Sequence, residues 1–212
     1  MFSSAIKRLN DRRDAAGETG EDAGFTLIEL MVVLLILAIL LAIAIPTFLG
    51  VTKSANDRAA QSNLNTALVN AKSVFQTNSQ SYALAGGVGA ASLTANNASL
   101  VGSLTTAEPN LSFVTGTVSS GMTLSTVGVS IAADGNGVVL VEQAKGTGNC
   151  WYVVDNATTE TAALGGTPYT NMATNALAAG TWYGKYATSP SPASCSTAVP
   201  AAAVFQANGF SS

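Results

Sequence analysis

Histidine is absent from this chain, and only two cysteines occur among its 212 residues. These absences remove imidazole acid/base catalysis, Cys/His zinc frameworks and any dense disulfide scaffold. No catalytic residue, metal site or cofactor is therefore expected, and an enzyme is the least favoured class. Charge is sparse as well: Asp, Glu, Lys and Arg make up 10 % of the residues, with a formal net charge of −3. With no basic patch, there is no electrostatic footprint for nucleic acid, so a nucleic-acid partner is not expected. The scarcity is most extreme between Glu29 and Lys53, where no charged residue occurs.

That gap holds a long apolar run. Phe25–Ile45 would form about 31 Å of helix at ~1.5 Å per residue, which matches the ~30 Å hydrocarbon core of a bilayer. Glu29 is the anomaly within it, because an acid deep in lipid costs roughly 2.5 to 3.5 kcal/mol even on lenient scales. Such a group calls for a partner. Lys7, Arg8, Arg12 and Arg13 precede the run, and by the distribution of basic residues the N-terminus is expected in the cytoplasm.

The order of segments differs from a secretory signal, in which small residues mark a cut beyond the apolar core. Here Gly24 precedes the run, so a cut after it would remove the polar leader and keep the apolar helix. The string Gly24-Phe25-Thr26-Leu27-Ile28-Glu29-Leu30, followed by apolar residues to Pro46, resembles the prepilin signature of type IV pilins, pseudopilins and competence pilins. The resemblance covers Gly24 to about Phe48. It implies cleavage after Gly24 and N-methylation of Phe25 by a prepilin peptidase/methylase, with Thr26 and Glu29 acting in assembly. It also implies identical subunits and an inner-membrane assembly machinery as partners, and membrane lipid around the helix before assembly. The function so implied is a structural subunit of a surface filament, held in the cell membrane by a single span and extracellular once assembled. A pseudopilin of a secretion machine, a minor pilin and a DNA-uptake pilin share the same N-terminal residues. The Ser/Thr/Gly-rich exterior favours an exposed fibre subunit, and the acidic mature chain disfavours a DNA binder. The leader carries four bases and five acids and is longer than the shortest leaders of the family, which leaves the secretion system open.

Four segments are expected: a leader 1–24, an assembly helix 25–50, an amphipathic continuation 51–78 and an exported head 79–212. In the continuation, Val51, Ala55, Ala59, Leu64, Ala67, Leu68, Ala71, Val74 and Phe75 mark an apolar face, with Lys53, Asp57, Gln61, Asn65 and Lys72 largely opposite. The continuous helix would be roughly 80 Å long, and Lys53 and Asp57 can pair along it. Pro46 lacks an N–H for the Ala42 carbonyl, so a kink or loosening is expected there, helped by Gly50. By similarity to the family, this region would unwind in a fibre.

The fold class expected is α+β, pilin-like: a long helix packed on a small antiparallel sheet. Residues 79–110 read as an irregular connector with at most one short helix. An antiparallel meander is expected over about 111–155, from the alternation at Leu111 and Phe113, at Met122 and Leu124, and at Val127, Val129 and Ile131, with a bulge near Thr126. Asp134-Gly135-Asn136-Gly137 signals a turn into Val138–Val141. The turn looks faintly like the start of a calcium loop, but the later EF-hand ligands and closing glutamate do not follow, so a plain hairpin is the reading adopted. Trp182–Tyr186 is either a strand packed in the core, the favoured use, or a surface patch. Sequons occur at Asn97, Asn110 and Asn156, and Ser189–Pro192 fits either a solvated loop or glycosylated surface. Cys150 and Cys195 lie on the exported side, where one bridge is the economical arrangement and two separate buried thiols the alternative. A bridge would match in position the disulfide-bounded C-terminal loop of many type IV pilins, here 150–195.

Overall fold

The computed structural model describes residues 25–123, 125–161, 163–164, 167–168, 174–187 and 192–210. Gly24, the leader, Leu124 and Ser189–Ser191 lie outside the described residues. The chain divides into two compact units, one ending at Phe48 and one beginning at Leu49. Helix α1, Leu27–Thr77, contributes to both.

Within the first unit, every residue from Phe25 to Phe48 is exposed. Apolar side chains point outward all round, because among the described residues nothing packs against this stretch. The helix assignment runs unbroken through Pro46 and Gly50. The Thr47 hydroxyl donates to the carbonyls of Ile43 (2.6 Å) and Ala44 (3.2 Å), giving this stretch polar contacts next to the proline that cannot donate.

In the second unit, α1 buries Ala60, Leu64, Ala67, Leu68 and Ala71. The periodicity is the one expected, but its start differs. Val51, Ala55 and Ala59 are exposed, and the buried stripe begins at Ala60. A 3₁₀ turn, Ala90–Ser92, then leads into α2, Leu93–Ala107. The expected irregular connector thus holds a helix of 15 residues, which buries Leu93, Asn96, Asn97, Leu100 and Leu104. Two asparagines occupy places where apolar residues would have announced the helical period. Asn97 accepts from the Ile131 N–H at 2.8 Å, and Asn96 accepts from Ala85 N–H and donates to the Gly87 carbonyl.

The strands are β1 Ser112–Thr115, β2 Val118–Ser119, β3 Thr126–Ile131, β4 Gly137–Gln143 and β5 Cys150–Asn156. Short β6 Ala163–Leu164 and β7 Thr167–Pro168 pair with each other, and a helical turn α3, Thr174–Leu177, follows. β8 Gly180–Tyr186, β9 Ser194–Cys195 and β10 Val204–Gln206 complete the set. The main sheet has six strands in the order β1-β3-β4-β5-β8-β10, so it extends well past residue 155. Four of its five pairings are antiparallel; β1 runs parallel to β3, which corrects the expected simple meander. After β1 the chain leaves the sheet at Gly116 and forms β2, which pairs with β9. It returns at Thr126 alongside β1 in the same direction. Met122 lies in a bend, and β3 begins at Thr126 with no bulge, so the apparent slip in alternation reflects this excursion. Gly128 lets the excursion pack closely: a Cβ there would meet the Gly116 carbonyl oxygen at 2.5 Å and a Val141 methyl at 2.8 Å.

Both faces of the sheet are covered, which explains why β3 is buried at every residue, β4 through Glu142 and β5 through Val154. One core joins α1 and α2 to Phe113, Val127, Val129, Ile131, Val138, Leu140, Trp151 and Val153. The opposite core joins Val139, Val141, Tyr152 and Val154 to Cys195, Val199, Ala203 and Phe205 of the C-terminal segment. Phe205 lies directly over Gly184, where a Cβ would meet its ring at 2.5 Å. Trp182 and Tyr186 pack against this second core and Tyr183 against the first, so Trp182–Tyr186 is a strand in packed use. Cys150 and Cys195 form the disulfide, with Cα atoms 5.5 Å apart, and fasten the C-terminal segment to β5.

Candidate functional site

The N-terminus of α1 is closed by its own side chains. The Thr26 hydroxyl accepts from the Glu29 N–H at 3.3 Å, while Glu29 Oε2 accepts from the Thr26 N–H at 2.8 Å and from the Thr26 hydroxyl at 2.7 Å. This reciprocal pair is a capping box, which satisfies N–H groups that the first helical turn cannot. Thr-x-x-Glu ahead of an apolar run is legible in sequence, but the role given to Glu29 on sequence grounds was assembly. Thr26 and Glu29 are thus brought together, and Phe25 lies beside them, exposed. Gly24 lies outside the described residues. Downstream, the helix is long and apolar enough to cross a membrane, with none of its apolar window buried.

The head carries polar groups that sequence reasoning placed elsewhere. Asp57, expected on the solvent side, faces β4–β5: its carboxylate accepts from the Trp151 indole N–H (2.9 Å), the Thr147 hydroxyl (2.7 Å) and the Asn149 amide (3.3 Å). The expected Lys53–Asp57 pair is not among the ion pairs of the described residues. Lys72 instead bridges to Asp155 at 3.0 Å and donates to the Thr181 hydroxyl, and Asp155 also accepts from Tyr82. These contacts fix α1 to the sheet.

Two carboxyls are buried in the head. Glu142 on β4 is 1 % exposed; Asn63 of α1 donates to its Oε1 at 2.9 Å, while Oε2 has no hydrogen-bond partner among the described residues. Burial raises its pKa from 4.5 to about 8, against the opposing effect of Asn63. Glu160 is wholly buried, with Asp134 and Thr158 the polar side chains that reach its carboxyl. Burial and then the charge of Asp134 push it up to about 7. The Asp134–Gly137 turn forms the expected hairpin between β3 and β4, with Asp134 accepting from the Asn136 backbone and side-chain amides at 3.0 Å each. Among the described residues, no group of three or more Cys, Asp or Glu side chains is arranged around a common metal position. Of the sequons, Asn97 and Asn156 are buried and hydrogen-bonded, whereas Asn110 is exposed.

Comparison with known proteins finds a family motif at the same end of the chain. Residues 21–45 match the prokaryotic N-terminal methylation motif. The chain is 46 % identical over 59 residues to the type IV wide pilus major component PilA4 of Thermus thermophilus, covering 28 % of this chain and 44 % of that protein. In sequence and in fold, the chain is type IV pilin-like. It spans less than half the length of the relative it matches. No solved structure matches it. The pilin-like assignment therefore rests on the motif around Gly24–Glu29, on the long apolar helix and on a disulfide-closed α+β head.

Proposed function

We propose that this protein is the structural subunit of a type IV pilus. It is processed after Gly24, N-methylated at Phe25 and polymerised through its N-terminal helix. The observation that carries this reading is an apolar stretch, exposed from Phe25 to Phe48, that begins at a methylation motif and is continuous in sequence with a separately packed head. A surface of that size is stable in lipid or against other helices, and both occupants are required in turn. Before assembly the span lies in the membrane with its N-terminus cytoplasmic; after assembly, neighbouring copies replace the lipid. Lipid is as apolar as leucine, so close packing and polar pairing have to drive that exchange. Repetition of one head-to-tail contact gives an open polymer. The name of the Thermus relative, a major pilus component, supports the same role here.

The test is the mass of the chain in filaments sheared from producing cells. The expected species begins at methylated Phe25 and dominates the sheared fraction, and Gly24→Arg retains residues 1–24 and loses the filaments. An intact chain in purified filaments overturns the processing step. A protein scarce in the sheared fraction but needed for secretion is a pseudopilin.

A further inference from the structure

The basic side chains beyond the apolar run are Lys53, Arg58, Lys72, Lys145 and Lys185. Two of them are engaged within the head, Lys72 with Asp155 and Lys185 over the Trp151 ring at 4.9 Å. The others gather where α1 meets the β4–β5 loop. Gln143 and Cys150 face each other at the ends of their strands, so residues 144–149 form that loop, and the Asn56 amide donates to its Lys145 carbonyl at 2.8 Å. A Cβ on Gly146 would meet the Lys53 side chain at 3.4 Å, which sets Lys53 against the residue next to Lys145. Arg58 follows on the next turn of α1. Lys53 and Lys145 are exposed, and among the described residues neither they nor Arg58 form an ion pair. Asp57, the acid among them, is drawn toward the sheet by Thr147, Asn149 and Trp151, and Glu108 lies ahead of β1, two strands from β4. We propose that Lys53, Arg58 and Lys145 form a basic collar that binds the phosphates of anionic phospholipid headgroups on the exported face of the membrane.

Position along the chain selects a lipid surface, and this rests on the apolar stretch being a membrane span, as proposed above. Lys53 is the first charged residue after Glu29, and it follows the exposed apolar Leu49 and Val51. The rise from Leu49 to Lys53 is about 6 Å of helix, within the roughly 5 to 8 Å that headgroups add on each side of the hydrocarbon. Cα–Cβ bonds on a helix tilt toward its N-terminus, so Lys53 and Arg58 lean back toward the apolar run, and their long stems can lie along the interface with the charges in water. Three bases against one acid leave the collar positive. Each Lys or Arg close to an anionic surface strengthens attachment on the order of fivefold. Spread over a helix and a loop, the charges match a plane of headgroups better than a single small anion.

The test places the full chain in vesicles of phosphatidylcholine, alone or with phosphatidylglycerol, and follows amide hydrogen exchange by mass spectrometry. Exchange of residues 144–149 is expected to slow on the order of tenfold in the anionic vesicles and to return to the neutral-vesicle rate in about 1 M NaCl, where screening acts within ~3 Å. The Asp134–Gly137 turn, at the other end of β4, should exchange alike in both vesicles. Lys53→Gln and Lys145→Gln should each weaken the slowing and together abolish it, whereas Lys53→Arg with Lys145→Arg should keep it. Equal exchange of the loop in both vesicles overturns the collar, as does slowing that the double glutamine variant retains. Should that variant fail to fold, loss of the slowing in the double arginine variant overturns the role of charge. The same slowing in neutral vesicles supplied with inorganic phosphate overturns the choice of lipid. Chain released from both vesicles by alkaline carbonate overturns the membrane span, and the collar with it; chain that stays but shows no effect of the anionic lipid overturns the collar alone.

Discussion

Glu142 shows how one buried side chain sets a pH dependence for the whole head. Unfolded, it titrates at the ordinary 4.5; folded, at about 8. Between those values the folded chain holds a proton that the unfolded chain has released, so stability falls as pH rises from about 4.5 to about 8 and is level above that. Glu142→Gln keeps the acceptor for Asn63 and removes the titration. The variant should match the wild type near pH 4 and exceed it at pH 8 by on the order of 1 to 3 kcal/mol. Urea unfolding at both pH values measures this, and parallel stability curves for the two proteins would refute it. Such groups were hard to read from sequence. Glu142 follows the apolar run Val138–Val141, and nothing in that pattern says whether it faces solvent or lies under Asn63. Asp57 posed the same problem on a helix: its phase pointed outward, but three donors on β4–β5 draw it in.

Elements whose signals are local were legible, and those that depend on distant partners were not. The capped apolar helix, the Asp134–Gly137 turn, the strands at Val138 and Cys150 and the pairing of the two cysteines all follow from short-range chemistry. Helix α2 was hidden because buried Asn96 and Asn97 interrupt its leucine spacing, and their role depends on backbone groups at Ala85 and Ile131. The parallel β1–β3 pairing depends on β2 finding β9, nearly eighty residues away, and no local pattern encodes that. The disulfide joins the same distant region to β5, and its loss should therefore loosen the C-terminal cover of the sheet. For a separation of 45 residues, the chain-entropy relation gives an upper value of about 4 kcal/mol. Cys195→Ser should lower stability by as much as a few kcal/mol, read from denaturant unfolding of the full chain in detergent through Trp151 and Trp182 fluorescence. Membrane insertion should be unaffected, since both cysteines lie in the head. Wild-type stability in Cys195→Ser would show that the second core holds the cover without the bridge.

At the scale of the whole molecule, the chain joins a head with two cores to a helix that has none of its own, and Glu29 lies where that helix begins. Two roles compete for this acid. In the single chain it closes the capping box with Thr26, and loss of such a cap costs about 0.5 to 2 kcal/mol at the helix end. In the proposed filament, cleavage after Gly24 leaves a positive amine on Phe25, about 6 Å along the helix from Glu29, and a neighbour displaced by one axial step can bring its amine to the acid. Pairing then makes correct register the arrangement without an orphan charge in an apolar bundle. Glu29→Ala removes both roles and is expected to give processed, membrane-held subunit with few or no filaments. Glu29→Gln separates them, because glutamine serves the capping box as well as glutamate does but carries no charge. If pairing directs assembly, the glutamine variant should fail as fully as alanine while remaining helical and cleaved. Counts of filaments by electron microscopy, normalised to subunit level in the membrane, decide the matter. Wild-type numbers from Glu29→Gln would assign the acid to the cap alone.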